Sequence, residues 1–208
     1  MNSILLQEDI KIIESRLTEF ETNTGCELLL VVANSSDPYP AASLRFGVIS
    51  GFILSLVFVL FFEFTHHTIY PLSFFVITLF MTWVGHFKPF KKMALSDGEI
   101  ERETSEKALE SFYSLGTSKV DHKVTAMIMV SQLEHKIHVL IDEKLKSKIS
   151  QAELNELLQI ITTQFKNGNM SLGFIQAMDQ LEKKILTSFS GKVSEHHVSM
   201  LANQIIFL

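Results

Sequence analysis

Three acidic residues stand where predicted strands begin or end. Glu27 opens an apolar run, Glu134 lies in a short link between two further runs, and Asp142 closes the last of them. Ligands of α/β proteins gather at strand ends, and carboxylate oxygens are the ligands that calcium and magnesium prefer. Glu27, Glu134 and Asp142 are therefore the candidate metal ligands, with calcium or magnesium as the expected ion. The alternative is that these acids are solvated or cap helices.

The sequence contains none of five common catalytic or nucleotide-binding motifs. It has no nucleophile elbow, Walker loop, dinucleotide-binding fingerprint, HExxH or CxxC. Gly168 and Gly173 have the spacing of a phosphate-binding loop, but Phe174 stands where that loop needs lysine. His135 and His138 are three residues apart, so on a strand they would point to opposite faces. No catalytic residue is assigned.

Three predicted strands must position the acids. Residues 26–33 form an almost continuous apolar run, which is typical of a strand buried on both faces. Residues 125–131 are apolar throughout, and residues 136–142 place alternate apolar side chains on one face. The link between these two runs is short. We therefore expect an antiparallel hairpin, because a parallel pair needs a longer crossover.

Helical patterns surround the strands. Ser96 with Glu99, and Ser150 with Glu153, have the spacing of capping boxes that open helices. Apolar residues recur at helical spacing in four places, and the Ser96 capping box predicts a fifth helix. The predicted helices cover about residues 10–20, 96–115, 150–168, 171–188 and, in the tail, 198–208.

Two apolar runs lie back to back in the first half of the chain. Residues 46–62 and residues 69–87 carry no charge. A helix needs about 20 apolar residues to cross the hydrocarbon core, so each run is long enough to span a bilayer, the first one tightly. Pro71 lies in the first turn of the second helix, where its missing N–H is tolerated. We expect a transmembrane hairpin; the alternative is a pair of buried core helices.

Basic residues predict the orientation of this hairpin. The link at residues 63–68 contains no Lys or Arg, whereas Arg45 precedes the first run and Lys88, Lys91 and Lys92 follow the second. Basic residues stay on the cytoplasmic side. The expected protein is a two-pass protein of the plasma (inner) membrane with both termini cytoplasmic.

The strand count predicts how the domains are divided. One strand before the hairpin cannot fold alone, and the part after it has only two. We therefore expect one α/β domain that is split by the hairpin. The predicted divisions are a first part at 1–43, the hairpin at 44–88, a second part at 89–190 and a C-terminal tail helix at 191–208.

Composition excludes several classes of protein and partner. The 208 residues carry a net charge of −5, and no dense block of Lys or Arg is present, so nucleic acid is not an expected partner. Cys26 is the single cysteine, so no intrachain disulfide can form. Hydrophobic residues make up 47% of the chain, which excludes disorder. The two long apolar runs argue against a purely soluble protein.

Short pieces of the sequence occur in a known order. They are Thr24-x-x-Glu27-Leu28, then Ser36 and Tyr39, then Ala108, Phe112, Leu115 and Gly116, then Val130-Ser131-x-Leu133-Glu134-x-Lys136-Ile137 with Ile141-Asp142, and last Phe165-x-x-Gly168-Asn169-x-x-x-Gly173. This order resembles the TPM domain family, named after its thylakoid phosphatase, photosystem repair and nicotinic-receptor accessory lineages. The hairpin inside the domain resembles the bacterial branch.

The resemblance implies a fold and two kinds of function. The implied fold is a three-layer α/β sandwich around a small mixed sheet, interrupted by a two-helix transmembrane hairpin. The family also implies a divalent-metal site and acid phosphatase activity, and other relatives are auxiliary or assembly factors for membrane complexes.

The expected function is that of a binding or assembly and maintenance module. The chain would be anchored in the lipid bilayer, would bind a membrane protein complex and could form homo-oligomers. It needs no catalytic residues, which agrees with the motif search. The alternative is a divalent-metal-dependent phosphatase in which Glu27, Glu134 and Asp142 hold the ion.

Overall fold

The computed structural model describes residues 5–61, 69–117, 125–189 and 204–208. The chain forms two compact units, one that combines Met1–Ser35 with Thr104–Leu208 and one that is Ser36–Glu103. The helices are α1 (Gln7–Thr24), α2 (Pro40–Phe61), α3 (Ile69–Val84), α4 (Lys88–Met93), α5 (Asp97–Ser111), α6 (Glu143–Lys146), α7 (Gln151–Lys166) and α8 (Met170–Ser188). The strands are β1 (Glu27–Ala33), β2 (Thr125–Ser131), β3 (Lys136–Ile141) and β4 (Ile206–Phe207).

A small mixed sheet is the centre of the first unit. In the described part of the chain it has four strands in the order β3-β2-β1-β4. β1 and β2 run parallel, with Glu27 opposite Thr125 and Ala33 opposite Ser131. β2 and β3 are antiparallel, which confirms the predicted β-hairpin formed by these two strands. β1 precedes the apolar helices and β2 follows them, so both flanks of the second unit contribute to one sheet.

Helices α1, α7 and α8 cover one face of this sheet. Phe20 of α1, Ile161 of α7 and Phe174 of α8 are fully buried there. Leu30 of β1 and Ile128 of β2 belong to the same core cluster. The burial of every residue in β1 and β2 agrees with the continuous apolar runs of the sequence, because a strand covered on both faces needs no polar side.

The other face of the sheet is covered by the end of α5. Ala108 and Phe112 pack with Val31 of β1 and with Met127 and Met129 of β2. Helices therefore lie on both faces of the sheet, and the predicted three-layer α/β fold is confirmed. After α5 the chain continues as a π-helix, Phe112–Thr117, rather than as the regular helix predicted to about residue 115.

Capping residues begin two of these helices as predicted. The Ser150 hydroxyl accepts a hydrogen bond from the Glu153 backbone N–H, and the Glu153 carboxylate accepts one from the Ser150 N–H at 2.8 Å. Ser96 and Glu99 form the same reciprocal pair ahead of α5. Each pair satisfies N–H groups that a helix start leaves without an internal acceptor.

The end of the chain is a strand instead of the helix predicted for residues 191–208. Residues 190–203 lie outside the described residues, but Ile206–Phe207 is β4 and runs parallel to β1. The Leu208 N–H donates to the Val32 carbonyl, and the Asn34 N–H donates to the Leu208 carbonyl, both at 3.0 Å. Without β4, β1 would be an edge strand with unpaired backbone N–H and C=O groups. The last residues of the chain pair with these groups.

The second unit is built around the pair of apolar helices α2 and α3. Gly47 lies so close to Thr82, and Gly51 so close to Thr78, that an added Cβ would approach the threonine Cα atoms at 2.7 and 2.9 Å. The Ser43 hydroxyl donates to the Gly85 carbonyl at 3.0 Å. Small residues at every fourth position of α2 therefore let the two backbones pack closely, as in small-xxx-small helix pairs.

Candidate functional site at the strand ends

Glu27 and Asp142 lie at the same end of the sheet. Glu27 is the first residue of β1 and is paired in register with Thr125, the first residue of β2. Asp142 follows β3, and its backbone N–H donates to the Thr125 carbonyl at 3.0 Å. The parallel pairing of β1 with β2 and the antiparallel pairing of β2 with β3 bring these two acids to neighbouring positions.

The Asp142 carboxylate already accepts two backbone hydrogen bonds. Its Oδ1 accepts from the Leu145 N–H at 2.9 Å, as the N-cap of α6, and its Oδ2 accepts from the Thr125 N–H at 3.3 Å. The Asp142 carboxylate is therefore bonded to the first residue of β2 and also caps the short helix α6. Because both of its oxygens accept hydrogen bonds from the backbone, Asp142 has a structural role.

Glu134 lies at the opposite end of the sheet from Glu27 and Asp142. It belongs to the turn that joins β2 to β3, and its buried carboxylate accepts a hydrogen bond from the Ser131 hydroxyl. The length of β3 separates it from Asp142 by about 20 Å, at 3.4 Å per residue. The three predicted ligands therefore do not converge.

The three predicted acids do not form one cluster around a cation in the described residues. Calcium and magnesium need six or more oxygen ligands around one point. Among residues 5–61, 69–117, 125–189 and 204–208, no group of three or more His, Cys, Asp or Glu side chains is arranged to hold a metal.

The end of the sheet near Glu27 is acidic and buried. Glu21 and Glu27 are almost fully covered, and the Glu21 carboxylate accepts the Leu28 N–H at 3.2 Å. Burial raises the pKa of the adjacent Cys26 thiol well above its ordinary value, and the charges of Asp142, Glu21 and Glu27 raise it further. Cys26 is therefore a neutral, unreactive thiol, because the thiolate is the nucleophilic form.

A second polar group lies on the α5 face of the sheet and was not predicted. His138 of β3 and Thr104 of α5 are joined by a 2.9 Å hydrogen bond between the imidazole Nε2 and the hydroxyl. Thr104 is fully buried. The two residues are 34 positions apart, so no local pattern in the sequence could have indicated that they meet. His135 lies in the turn before β3 and not on the strand itself.

The outer surface of the second unit is apolar. Helix α2 has 22 residues and is long and apolar enough to cross a bilayer, with a length of about 33 Å. Helix α3 has 16 residues and is shorter, about 24 Å. The large side chains that are more than half exposed include Phe52, Leu60, Leu72, Phe75, Leu79 and Trp83.

An ion pair fixes the start of α2 within this unit. The Arg45 guanidinium donates to both oxygens of Glu99, at 2.6 and 2.9 Å. Together with the Ser96 N–H and hydroxyl, it lowers the pKa of Glu99 from 4.5 to about 2. The Lys91 ammonium donates to the Pro38 carbonyl at 2.8 Å, whereas Lys88 and Lys92 are exposed.

Comparisons with known proteins agree with this architecture. Residues 94–184 match the protein family described as the TPM domain, which confirms the predicted resemblance. The structure is similar to the NMR structure of the BA42 protein from the psychrophilic bacterium Bizionia argentinensis, with a TM-score of 0.60 and 12% identity over 100% of this chain and 97% of that one. At this identity the similarity shows the fold alone. No curated protein sequence matches the chain.

Proposed function

We propose that this chain, which carries a TPM domain over residues 94–184, is a membrane-anchored binding module that helps to assemble or maintain a membrane protein complex. The observation that carries the proposal is the apolar outer surface of α2 and α3. Large apolar patches on a folded protein mark membrane or protein contact sites. A helix of the length of α2 matches the hydrocarbon thickness.

The shared sheet supports two crossings of the membrane. β1 lies before α2, and β2 lies after α3, yet the two strands pair along their full length. Both flanks must therefore lie on one side of any bilayer that the chain crosses. Helix α3 is short for a second span, and short spans are accommodated by local thinning of the bilayer.

The basic residues support a cytoplasmic position for both flanks. Lys88 and Lys92 are exposed just after α3, where positive charge is retained on the cytoplasmic side. A cysteine at exposed Lys144 should be protected from an impermeant maleimide in intact cells, and one at His67 should be labelled. Labelling of Lys144→Cys in intact cells would show that the orientation is wrong.

Membrane anchoring is tested by extraction of the full chain. The protein should stay in the membrane pellet through alkaline carbonate and leave it in mild detergent. Release by carbonate would contradict an integral hairpin. The matched comparison is a chain whose two apolar helices are replaced by an unrelated two-pass hairpin, which keeps the anchor and changes only its surface.

Complex formation is tested by a pull-down in mild detergent. The full chain should retain a membrane protein at a fixed ratio. The variant with the unrelated hairpin shows whether the TPM domain or the apolar helices make the contact. Recovery of the chain alone, or only of its own copies, would remove the assembly role.

The metal-dependent phosphatase remains the alternative prediction, and the shared position of Glu27 and Asp142 at one sheet end is the observation in its favour. It is tested with an aryl phosphate in millimolar calcium or magnesium. Turnover that chelator and Asp142→Asn both abolish would favour the phosphatase. Turnover that survives Asp142→Asn would exclude this site.

A further inference from the structure

A half-enclosed cleft opens beside the turn between β2 and β3, in the first unit. Its volume is about 260 Å³. Val130, Ile137, Phe165 and Met170 give it apolar walls. Gln132, His135 and Lys166 add polar groups to the lining. The cleft is distinct from the sheet end that carries Glu27 and Asp142, because it lies at the far end of β3.

Two groups that can carry positive charge lie at the mouth of the cleft. Lys166 and His135 are both exposed, and neither forms an ion pair within the part of the chain that the structure describes. The residues that line the cleft include no carboxylate. Glu134, next to His135, is buried and accepts a hydrogen bond from Ser131. The cleft therefore favours an anion, although the chain as a whole carries a net charge of −5.

The backbone holds His135 at this mouth in an uncommon conformation. Its φ is +54°, in the left-handed region that residues other than glycine rarely adopt. A left-handed residue is common at the end of a short β-hairpin turn, and here it fixes the position of the imidazole. Asparagine tolerates this region, which makes His135→Asn a conservative way to remove the imidazole.

A glycine lets one aromatic wall of the cleft stand where it does. The Phe165 ring packs edge to face on Phe174, with ring centroids 5.3 Å apart. A Cβ on Gly173 would approach Phe165 ring atoms at 2.8 Å, so only glycine leaves room for the ring. Met170 adds a thioether to the same wall, and sulfur makes favourable contacts with aromatic rings.

We propose that the cleft binds a small aromatic anion, with the ring against Phe165 and Met170 and the acid group between Lys166 and His135. A dry cavity of about 150 Å³ holds one benzene molecule, so the volume here has room for a ring and an acid group. Hydrogen bonds from the ammonium and imidazole donors are stronger when the acceptor is charged than when it is neutral.

Phenylphosphonate is the probe, because it carries a ring and an anion and no phosphate ester to hydrolyse. Its binding to the full chain in lipid nanodiscs is measured by calorimetric titration. We expect saturable binding in the millimolar range or tighter, and binding of benzyl alcohol at least tenfold weaker. Equal binding of the neutral compound, or no binding of phenylphosphonate, would overturn the proposal.

Three variants locate the binding site. Lys166→Gln and His135→Asn should each weaken phenylphosphonate binding about tenfold, which is the effect of one lost charge-assisted hydrogen bond. Lys148→Gln, an exposed lysine beyond the other end of β3, should leave it unchanged. Unchanged melting temperatures show that the variants fold. Binding that is insensitive to both cleft variants, or equally sensitive to Lys148→Gln, would overturn the assignment.

Discussion

Asp142 acts through its hydrogen bonds to the backbone. It accepts from Leu145 at the start of α6 and from Thr125 at the start of β2. Asp142→Ala should therefore lower the free energy of unfolding by about 1 kcal/mol, the usual cost of losing an N-cap. Asp142→Asn should cost less, because asparagine still caps α6, although its single acceptor oxygen cannot also accept the bond from the Thr125 N–H. Urea unfolding of the full chain in detergent measures both.

The pair of Asp142 variants isolates the contribution of the N-cap. If both variants lose the same stability, the cap on α6 is not the important contact, and its role in stability is wrong. Glu143→Ala is the matched control. Glu143 is the exposed neighbour, and its carboxylate pairs with Lys146 at 3.0 Å. Removal of this exposed carboxylate should therefore change the free energy of unfolding little.

Glu99 gives the chain an acid-sensitive contribution to stability. Its pKa is about 2 in the folded protein, chiefly because Arg45 donates to it, against 4.5 ordinarily. A folded-state pKa below the unfolded value stabilises the folded state above the unfolded pKa and loses this effect as the pH falls. We expect Glu99→Gln to lower the melting temperature at pH 7, and the difference from wild type to disappear between about pH 4.5 and pH 2.

The control for the acid effect is Glu106→Gln. Glu106 is exposed on the same helix, so this variant loses the same charge without losing the Arg45 contact. A melting-temperature difference for Glu99→Gln that is constant down to pH 2, or is matched by Glu106→Gln, would contradict the assignment to the ion pair. High salt should also reduce the difference, because the pair is partly exposed.

At the scale of elements, close packing sets the geometry of α2 against α3. Alanine normally stabilises a helix interior by about 1 kcal/mol relative to glycine. Gly47→Ala should do the opposite, because its Cβ would lie 2.7 Å from the Thr82 Cα. Gly98→Ala in α5 is the matched control, with no atom within 4 Å of the added Cβ. Thermal unfolding in detergent should show a lower melting temperature for Gly47→Ala alone.

The elements that local patterns determine were predicted well from the sequence. The buried runs of β1 and β2 and the capping boxes of α5 and α7 each depend on residues close together in the chain. β4 depends on pairing between residues near 31 and 206, which no local pattern encodes. The contact between His138 and Thr104 is of the same kind.

The predicted metal ligands show which part of the site the sequence could have excluded. Glu134 precedes β3, and Asp142 follows it, so the strand itself keeps these two acids at opposite ends of the sheet, whatever the order of the strands. The proximity of Glu27 to Asp142, by contrast, depends on the parallel pairing of β1 with β2. Strand direction is a property of the whole sheet and is not visible in one strand.

At the scale of the whole molecule, the buried core clusters and the large apolar surface belong to different compact units of the chain. Both buried core clusters consist of residues that belong to the first unit. The large apolar surface of α2 and α3 belongs to the second. A chain with this division should keep its sheet when the second unit is removed, provided that the cut ends can be joined.

Both cut ends are attached to the sheet of the first unit. The Asn34 carbonyl accepts a hydrogen bond from the Leu133 N–H in the turn after β2, and Thr104 is bonded to His138, the third residue of β3. A chain in which a flexible Gly/Ser linker replaces Ser36–Glu103 should be soluble without detergent and unfold in one cooperative transition. The matched variant Leu30→Ala should lower its melting temperature by removing a fully buried side chain of the sheet. A linked chain that is insoluble, or melts without cooperativity, would mean that the second unit is required for the sheet to form, and that folding and anchoring cannot be assigned to separate stretches.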